Sequence, residues 1–320
     1  MTRRSPAATG KGRTSPSRSA SSSHSRPTGT RALRPPVVVV GFGRLGGALA
    51  LQLSDAGWPV TVSAESEVSR RAAKRAGLQL ANEVDLTQAA VALIVVRDDA
   101  VHARTRALLS QFGKTTALVH CAGALPLSVF GNDAEVVAHP RGSFHPLAAV
   151  SSPQSVLAGK SVALSGTTPR LLTLLRRMAR DLALRPFEVS EEHRAAYHAG
   201  AVLSAGGAVA LLATAVQAFG QAGVAEADAL HALLPLMRSA LDGVEARGLS
   251  KGLTGPVPRG DTGVVEAHLE ALSPSLRAIY RELSGQMLEL SELPPPQQTK
   301  LKRVLRASEK STATRSPRRR

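Results

Sequence analysis

The sequence predicts an α/β protein: a doubly wound, mostly parallel sheet followed by an all-helical carboxyl-terminal domain, with disordered basic tails at the two ends. Three observations predict it. Short apolar runs alternate with helical patterns through the first half. A G-x-G-x-x-G stretch joins the first such run to the first helix. The second half shows long Ala- and Leu-rich helical segments in place of strands. The expected divisions are a basic tail over 1–34, a nucleotide-binding domain over 35–190, a helical domain over 191–296 and a second basic tail over 297–320.

The formal charge of +16 looks at first like that of a nucleic-acid binder. Its location says otherwise. Residues 1–34 carry basic side chains and no acid, and residues 297–320 carry nine basic side chains against Glu309. These tails hold the whole excess, and the body between them is neutral. Both are rich in small and polar residues, too poor in apolar surface to offset their own ordering entropy. They read as solvated arms, with weak, salt-sensitive polyanion contact as the sharper alternative. Cys121 is the lone cysteine, so no disulfide framework or thiolate metal cluster is expected. The histidines show no zinc-ligand spacing, and the cytoplasm is the expected compartment.

Val37 to Val40 is a bare apolar run suited to a strand buried on both faces. Gly41, Phe42, Gly43, Arg44, Leu45 and Gly46 follow as the expected dinucleotide loop. Gly41 serves the tight turn, Gly43 the close approach of a pyrophosphate, and Gly46 the packing of helix on strand. The free amides and dipole of the helix start would hold the pyrophosphate. In this strand–glycine–helix context the motif predicts a Rossmann-type NAD(P) site. "WPVTVS" is the second strand, whose end should face the adenosine ribose. There Glu65 fits a 2′-hydroxyl, favouring NAD, whereas Ser63, Ser66, Arg70, Arg71 and Lys74 offer a cradle for a 2′-phosphate. NADP is the favoured cofactor, with NAD as the alternative.

"VALIVVRDDAV" is the next strand; Val96, Arg97 and Asp98 follow it, with the loop backbone passing the cofactor. Asp98–Asp99 is expected to supply a helix N-cap more than a carboxylate pair. "TTALVHCAGAL" ends at His120, and "AEVVAHPRGSFHPL" is a strand ending near His139, Ser143 and His145. "KSVALSG" and "RPFEVS" complete the sheet around the helix "TPRLLTLLRRMARDLAL". Ligands of such sheets lie beyond the carboxyl ends of the strands, where these polar residues fall.

The stretch from His193 to Gly220 is long enough to cross a membrane. It consists chiefly of Ala and Gly, whose transfer energy is small, so it is expected to be a long helix crowded by neighbours and not a membrane span. "EADALHALLPLMRSALDGVEA" and "VVEAHLEALSPSLRAIYRELSGQMLEL" follow as helices.

"VVVVGFGRLGGALA", "VHCAGALPL", "GSFHPL", "YHAGAVLSAGG" and "GPVPRGD…VEAHLEAL", in this order, resemble the family that joins a Rossmann-like domain to a carboxyl-terminal domain of unknown function, DUF2520. The resemblance spans about Val37 to Leu290, and in that family the second domain's boundary lies near residue 155. Members are labelled NADP- or deazaflavin-dependent oxidoreductases. Their architecture is similar to the 6-phosphogluconate dehydrogenase-like superfamily, which includes prephenate dehydrogenases and pyrroline-carboxylate reductases. The resemblance implies a nicotinamide cofactor in the first domain and a homodimer built on the second; it implies no particular substrate. Ala205 and Gly206 stand where the family usually has Ser and Asn, and Ala122 where it has Ser. Related β-hydroxyacid dehydrogenases use a Lys at the head of the long helix. No Lys lies between Lys160 and Lys251, which disfavours that mechanism here.

The expected function is hydride transfer between NAD(P)H and a C=O or C=N group of a small-molecule substrate. His145, Tyr197 and His198 are the candidate proton donors. His120 and Ser143 are expected to face the substrate. Arg259 would pair with a substrate carboxylate, and Asp261 would help to close the site. The competing class is a non-catalytic dinucleotide sensor or scaffold.

Overall fold

The computed structural model describes residues 33–313. In chain order the first half contains β1 (Val37–Val40), α1 (Arg44–Asp55), β2 (Val60–Ser63), α2 (Glu67–Arg75), β3 (Gln79–Leu80), β4 (Val91–Ile94), α3 (Val101–Leu108), β5 (Ala117–His120), α4 (Ala134–Val137), β6 (Arg141–Leu147), β7 (Ser161–Gly166), α5 (Pro169–Asp181) and β8 (Arg185–Glu188). The strands form one sheet in the order β3-β2-β1-β4-β5-β6-β7-β8. All neighbours pair in parallel except β6 and β7, which run antiparallel. The strand order reverses between β1 and β4, which makes that point the crevice where such sheets bind ligands.

The sheet is buried on both faces, and its alternation shows how. Val37, Val39, Val91 and Leu93 pack into one core with Leu49, Leu53, Leu175 and Met178 from α1 and α5. Val38, Val40, Ala92 and Ile94 pack into the other with Val101 and Leu108 from α3 and with Phe130. Side chains two apart share a face, so a run of four valines serves two cores at once. The stretch expected as a single strand from Ala134 is instead divided: Ala134–Val137 is a short helix capped by Asp133, and the strand proper begins at Arg141.

The second half is helical: α6 (Arg194–Val202), a π-turn (Leu203–Gly207), α7 (Ala208–Gln221), α8 (Glu226–Gly252), α9 (Pro256–Arg259), α10 (Thr262–Ala271), α11 (Pro274–Leu290) and α12 (Pro295–Ala313). Helices α9 to α12 share a small core of Val257, Val265, Leu269, Leu288, Leu301, Val304 and Leu305. This corrects the expectation of a disordered tail from residue 297. Leu301, Val304 and Leu305 recur at helical spacing and are buried, so the lysines and arginines between them mask an amphipathic helix. At the other end, Arg34 is not a loose tail residue: its Nε donates to Asp181 at 2.8 Å, beside Trp58, whose indole N–H donates to the same oxygen. Residues 1–32 and 314–320, on which the remaining tail expectations fall, lie outside the described residues.

The long apolar stretch is not crowded from all sides. The segment Glu191–Gln221 is long and apolar enough to cross a membrane, and none of its apolar window is buried within the chain. Helix α7 packs on α8 and buries no residue fully. Val202, Leu203, Val209 and Leu211 remain exposed.

Candidate functional site

The turn after β1 is built as the glycines predict. Gly41 has φ of +103°, and an added Cβ would collide with the Val95 carbonyl oxygen. Gly46 packs so closely that its Cβ would strike the Gly41 carbonyl. Gly43, by contrast, has no atom within 4 Å of an added Cβ. It is the N-cap of α1, provides no side-chain cap, and so leaves the first amides of a 12-residue helix facing open space. That space is a cleft of about 560 Å³ lined by the glycine loop, Arg44, Leu45, Val96, Arg97, Asp98 and, at its far end, His145 and Pro146. These residues fit a pyrophosphate.

On one side of the loop, the Gly41 N–H donates to the Ser63 carbonyl at 2.8 Å, so the end of β2 is tied to the turn. A second cavity of about 480 Å³ opens there, lined by Ser63, Ala64, Arg70, Asn82 and Gln111 among others. On the other side, a third cavity of about 400 Å³ runs from His145 and Pro146 to His198, Ser204, Ala205 and Gly206 on α6 and the π-turn. These cavities lie in sequence along the carboxyl edge of the sheet, and His145 borders two of them.

What puts His145 there is the overrun of β6. The β5–β6 ladder ends at His120 opposite Ser143, while β6 continues beside β7 to Leu147. Ser143 and His145, two apart, share a face of the strand. Arg194 and Tyr197, three apart, share a face of α6. The two faces meet residue for residue. The Arg194 Nη1 donates to the Ser143 hydroxyl at 2.6 Å, and His145 Nδ1 lies 2.6 Å from the Tyr197 hydroxyl. The His198 ring stands edge-on to His145 with centroids 5.5 Å apart, and it lies so close over Gly123 that a Cβ there would collide with it. Its Nδ1 is buried against Gly123 and has no hydrogen-bond partner among the described residues. Burial pulls the His145 pKa down to about 4, with the neighbouring His198 and Arg194 adding to it. Burial also pushes Tyr197 up to about 12, against the opposing pull of Arg194. The imidazole is therefore neutral at neutral pH.

Arg194 is a residue that the sequence pattern did not single out. It is 1% exposed and donates to the carbonyls of Leu125 and Ala122 (both 2.9 Å), besides its bond to Ser143. It pins the head of α6 to the ends of β5 and β6. A charged residue alone at the start of a long uncharged run was the available signal.

The remaining predicted residues fall into place unevenly. Gly41, Gly43, Arg44, Leu45, Gly46, Val96, Arg97 and Asp98 all line the first cleft; Phe42 turns its side chain into the core. His120 and Ser143 are fully buried and cannot face a substrate. Burial lowers the His120 pKa to about 3, and its ring packs on Phe130, while Ser143 is spent on Arg194 and Ser165. Arg259 and Asp261 pair with each other at 2.9 Å beside the α9–α12 core and line neither cavity at His145. The expected Asp cap does not form: Asp98 and Asp99 lie in a 3₁₀ turn without a side-chain cap, and Asp99 pairs with Arg97.

Residues 34–123 match the family model of the acetohydroxy acid isomeroreductase NADPH-binding domain, and residues 161–287 match that of the domain of unknown function DUF2520. The resemblance drawn from the five motifs holds: an NADPH-binding type of Rossmann domain precedes a DUF2520-type domain. No curated protein matches the chain significantly in sequence. Among solved structures, a candidate NADP oxidoreductase of Bacteroides fragilis is similar at 23% identity and a TM-score of 0.62, covering 80% of this chain and 98% of its own. A protein of Thermotoga maritima is similar at 23% identity and a TM-score of 0.65, with the same coverage of 80% and 98%. The 1-pyrroline-5-carboxylate reductase of Streptococcus pyogenes is similar at 15% identity and a TM-score of 0.56, covering 80% of this chain and 99% of its own. At these identities the likeness is one of fold.

Proposed function

We propose that the protein is an NADP-dependent oxidoreductase that transfers hydride between the nicotinamide and a C=O or C=N group of a small substrate. The observation that carries this reading is the adjacency of two cavities: the cleft over the glycine loop and a second, smaller cavity both border His145 and Pro146. The match of residues 34–123 to an NADPH-binding model supports the cofactor.

When bound, the nicotinamide supplies the hydride chemistry. The chain's residues supply position and a proton. With its imidazole neutral, His145 accepts from the Tyr197 O–H at Nδ1, which leaves Nε2 as the proton-bearing nitrogen. As negative charge grows on the substrate oxygen or nitrogen, the Nε2 proton moves to it and the Tyr197 proton moves to Nδ1. The Arg194 cation offsets part of the burial that opposes the resulting phenolate. His198 lines the same cavity beside His145. Ala205 and Gly206 give the third cavity a small, largely apolar lining, which favours a substrate with a compact hydrocarbon body. The same lack of polar groups favours the second reading, a dinucleotide sensor.

A second copy of the chain is the natural cover for the exposed apolar face of α6 and α7. A bilayer would require α8, packed on α7, to carry Asp228, Arg238 and Asp242 toward hydrocarbon, at a cost of about 2.5–3.5 kcal/mol each at the centre. A chain with one cysteine forms no internal disulfide, which suits a reducing compartment, and we place the protein in the cytoplasm. Incubation of NADPH with a panel of keto acids, ketones and cyclic imines tests the enzyme reading: oxidation supports it, and tight binding without oxidation supports the sensor.

A further inference from the structure

Of the side chains expected to receive a 2′-phosphate at the end of β2, all but Ser63 are already committed to partners on their own side of the chain. Arg70 donates to the carbonyls of Ala64 and Glu65 and pairs with Glu67, which also takes Arg71 at 2.8 Å. Lys74 pairs with Glu83 at 2.7 Å. The Ser66 hydroxyl caps α2, accepting from the Ser69 amide. A further cation arrives from a different element. Arg104 of α3 reaches over the end of β2, donating from Nη2 to the Ser63 hydroxyl at 3.2 Å and pairing through Nη1 with Glu65 at 2.8 Å. Its side chain is 19% exposed, whereas that of Glu65 is 74% exposed. A fixed, largely buried guanidinium is thus covered by a carboxylate that is free to swing into water.

We propose that Arg104 is the residue that selects the 2′-phosphorylated cofactor, and that Glu65 is its internal stand-in for the phosphate. This rests on the reading that the chain binds a nicotinamide dinucleotide. Carboxylate and phosphate present the same paired oxygens to a guanidinium fork, and the phosphate carries the larger charge. When it arrives beside Ser63, it takes the fork and the Ser63 hydroxyl, and Glu65 swings outward, where water solvates it. A cofactor with a bare 2′-hydroxyl has nothing to exchange and leaves the Arg104–Glu65 pair closed. The cavity lined by Ser63 and Arg70 would take the adenosine side of either cofactor, so that discrimination would fall to this exchange.

Calorimetric titration of the full chain with NADPH and with NADH tests this. Arg104→Ala should weaken NADPH binding about thirtyfold, the usual weight of a charge-assisted hydrogen bond, and NADH binding less than about threefold. Arg104→Lys should fall between, since it keeps the charge and loses the fork. Glu65→Gln should tighten NADPH several-fold by removing the competitor. An unchanged NADPH-to-NADH ratio in Arg104→Ala, with wild type binding NADPH, overturns the proposal and leaves the cofactor reading standing. Failure of wild type to bind either dinucleotide overturns both. Should Arg104→Ala not fold, Glu65→Gln decides: a gain for NADPH alone supports the exchange, and no gain refutes it.

Discussion

His145 Nδ1 and the Tyr197 hydroxyl lie 2.6 Å apart across the seam between the sheet and the helical half. The contact exists because β6 overruns its neighbour and because Arg194, one helical turn before Tyr197, anchors α6 to the same strand. Losing either partner should break proton delivery and spare cofactor binding. Tyr197→Phe or His145→Ala is expected to lower turnover by about a hundredfold or more with the NADPH dissociation constant little changed. Steady-state kinetics beside calorimetry check this; equal turnover in wild type and both variants would place the proton donor elsewhere.

Gly43 and Gly46 should respond in opposite ways to a side chain. An added Cβ at Gly43 meets nothing within 4 Å, so Gly43→Val should fold and melt like wild type while losing dinucleotide binding. At Gly46 the added atom strikes the Gly41 carbonyl, so Gly46→Ala should destabilise the fold itself. Thermal melts with and without NADPH separate the two outcomes. Retained NADPH binding in Gly43→Val would remove the pyrophosphate from this loop.

The protein should be sensitive to acid. Burial sets the folded pKa of His145 at about 4 and of His120 at about 3, both below the ordinary 6.5. The unfolded chain therefore takes up these protons first as pH falls. The stability these rings contribute is complete above about pH 6.5 and is lost progressively toward pH 4 for His145 and pH 3 for His120, each tenfold difference in proton affinity between the two states being worth about 1.4 kcal/mol. Melting temperatures measured across this range should fall steeply in wild type and less steeply in His120→Leu. A flat profile in wild type would contradict the burial of both rings.

Helix α12 should act as part of the folded core. Leu301 is fully buried among α9 to α12, and Leu301→Ala should cost about 2–5 kcal/mol. Denaturant unfolding measures it; a loss under about 0.5 kcal/mol would return α12 to the status of a tail.

How much of this was legible in the sequence depends on how local the signal was. The glycine loop was readable to the residue, because G-x-G-x-x-G between an apolar run and a helix states its own geometry. The meeting of His145 with Tyr197 was only half readable: both residues stood out, but their contact depends on the register of β6 against β5. Ser143 and His120 misled because strand ends carry polar side chains for packing as well as for ligands, and burial decides which. Arg259 and Asp261 misled because they satisfy each other. Arg104 was invisible, since it reaches the end of β2 from an element 41 residues away in sequence. The basic residues of α12 hid three apolar positions at helical spacing.

A dimer would use a specific surface. Leu203 is 74% exposed and Val209 is 68% exposed on the apolar stretch. Light scattering at micromolar concentration should report twice the chain mass for wild type, and Leu203→Glu with Val209→Glu should shift it toward one. A monomeric wild type would leave the apolar face without its proposed cover.

If the cleft over the glycine loop delivers hydride beside His145, reduced nicotinamide must be consumed there. The most direct measurement is the loss of reduced-nicotinamide absorbance when the full-length protein and NADPH meet the panel of ketones, keto acids and cyclic imines, with Gly43→Val as the paired control. Wild type should turn over at least one compound, and Gly43→Val none above background. Tight NADPH binding with no oxidation by any of them, or equal oxidation by Gly43→Val, would contradict hydride delivery at this site.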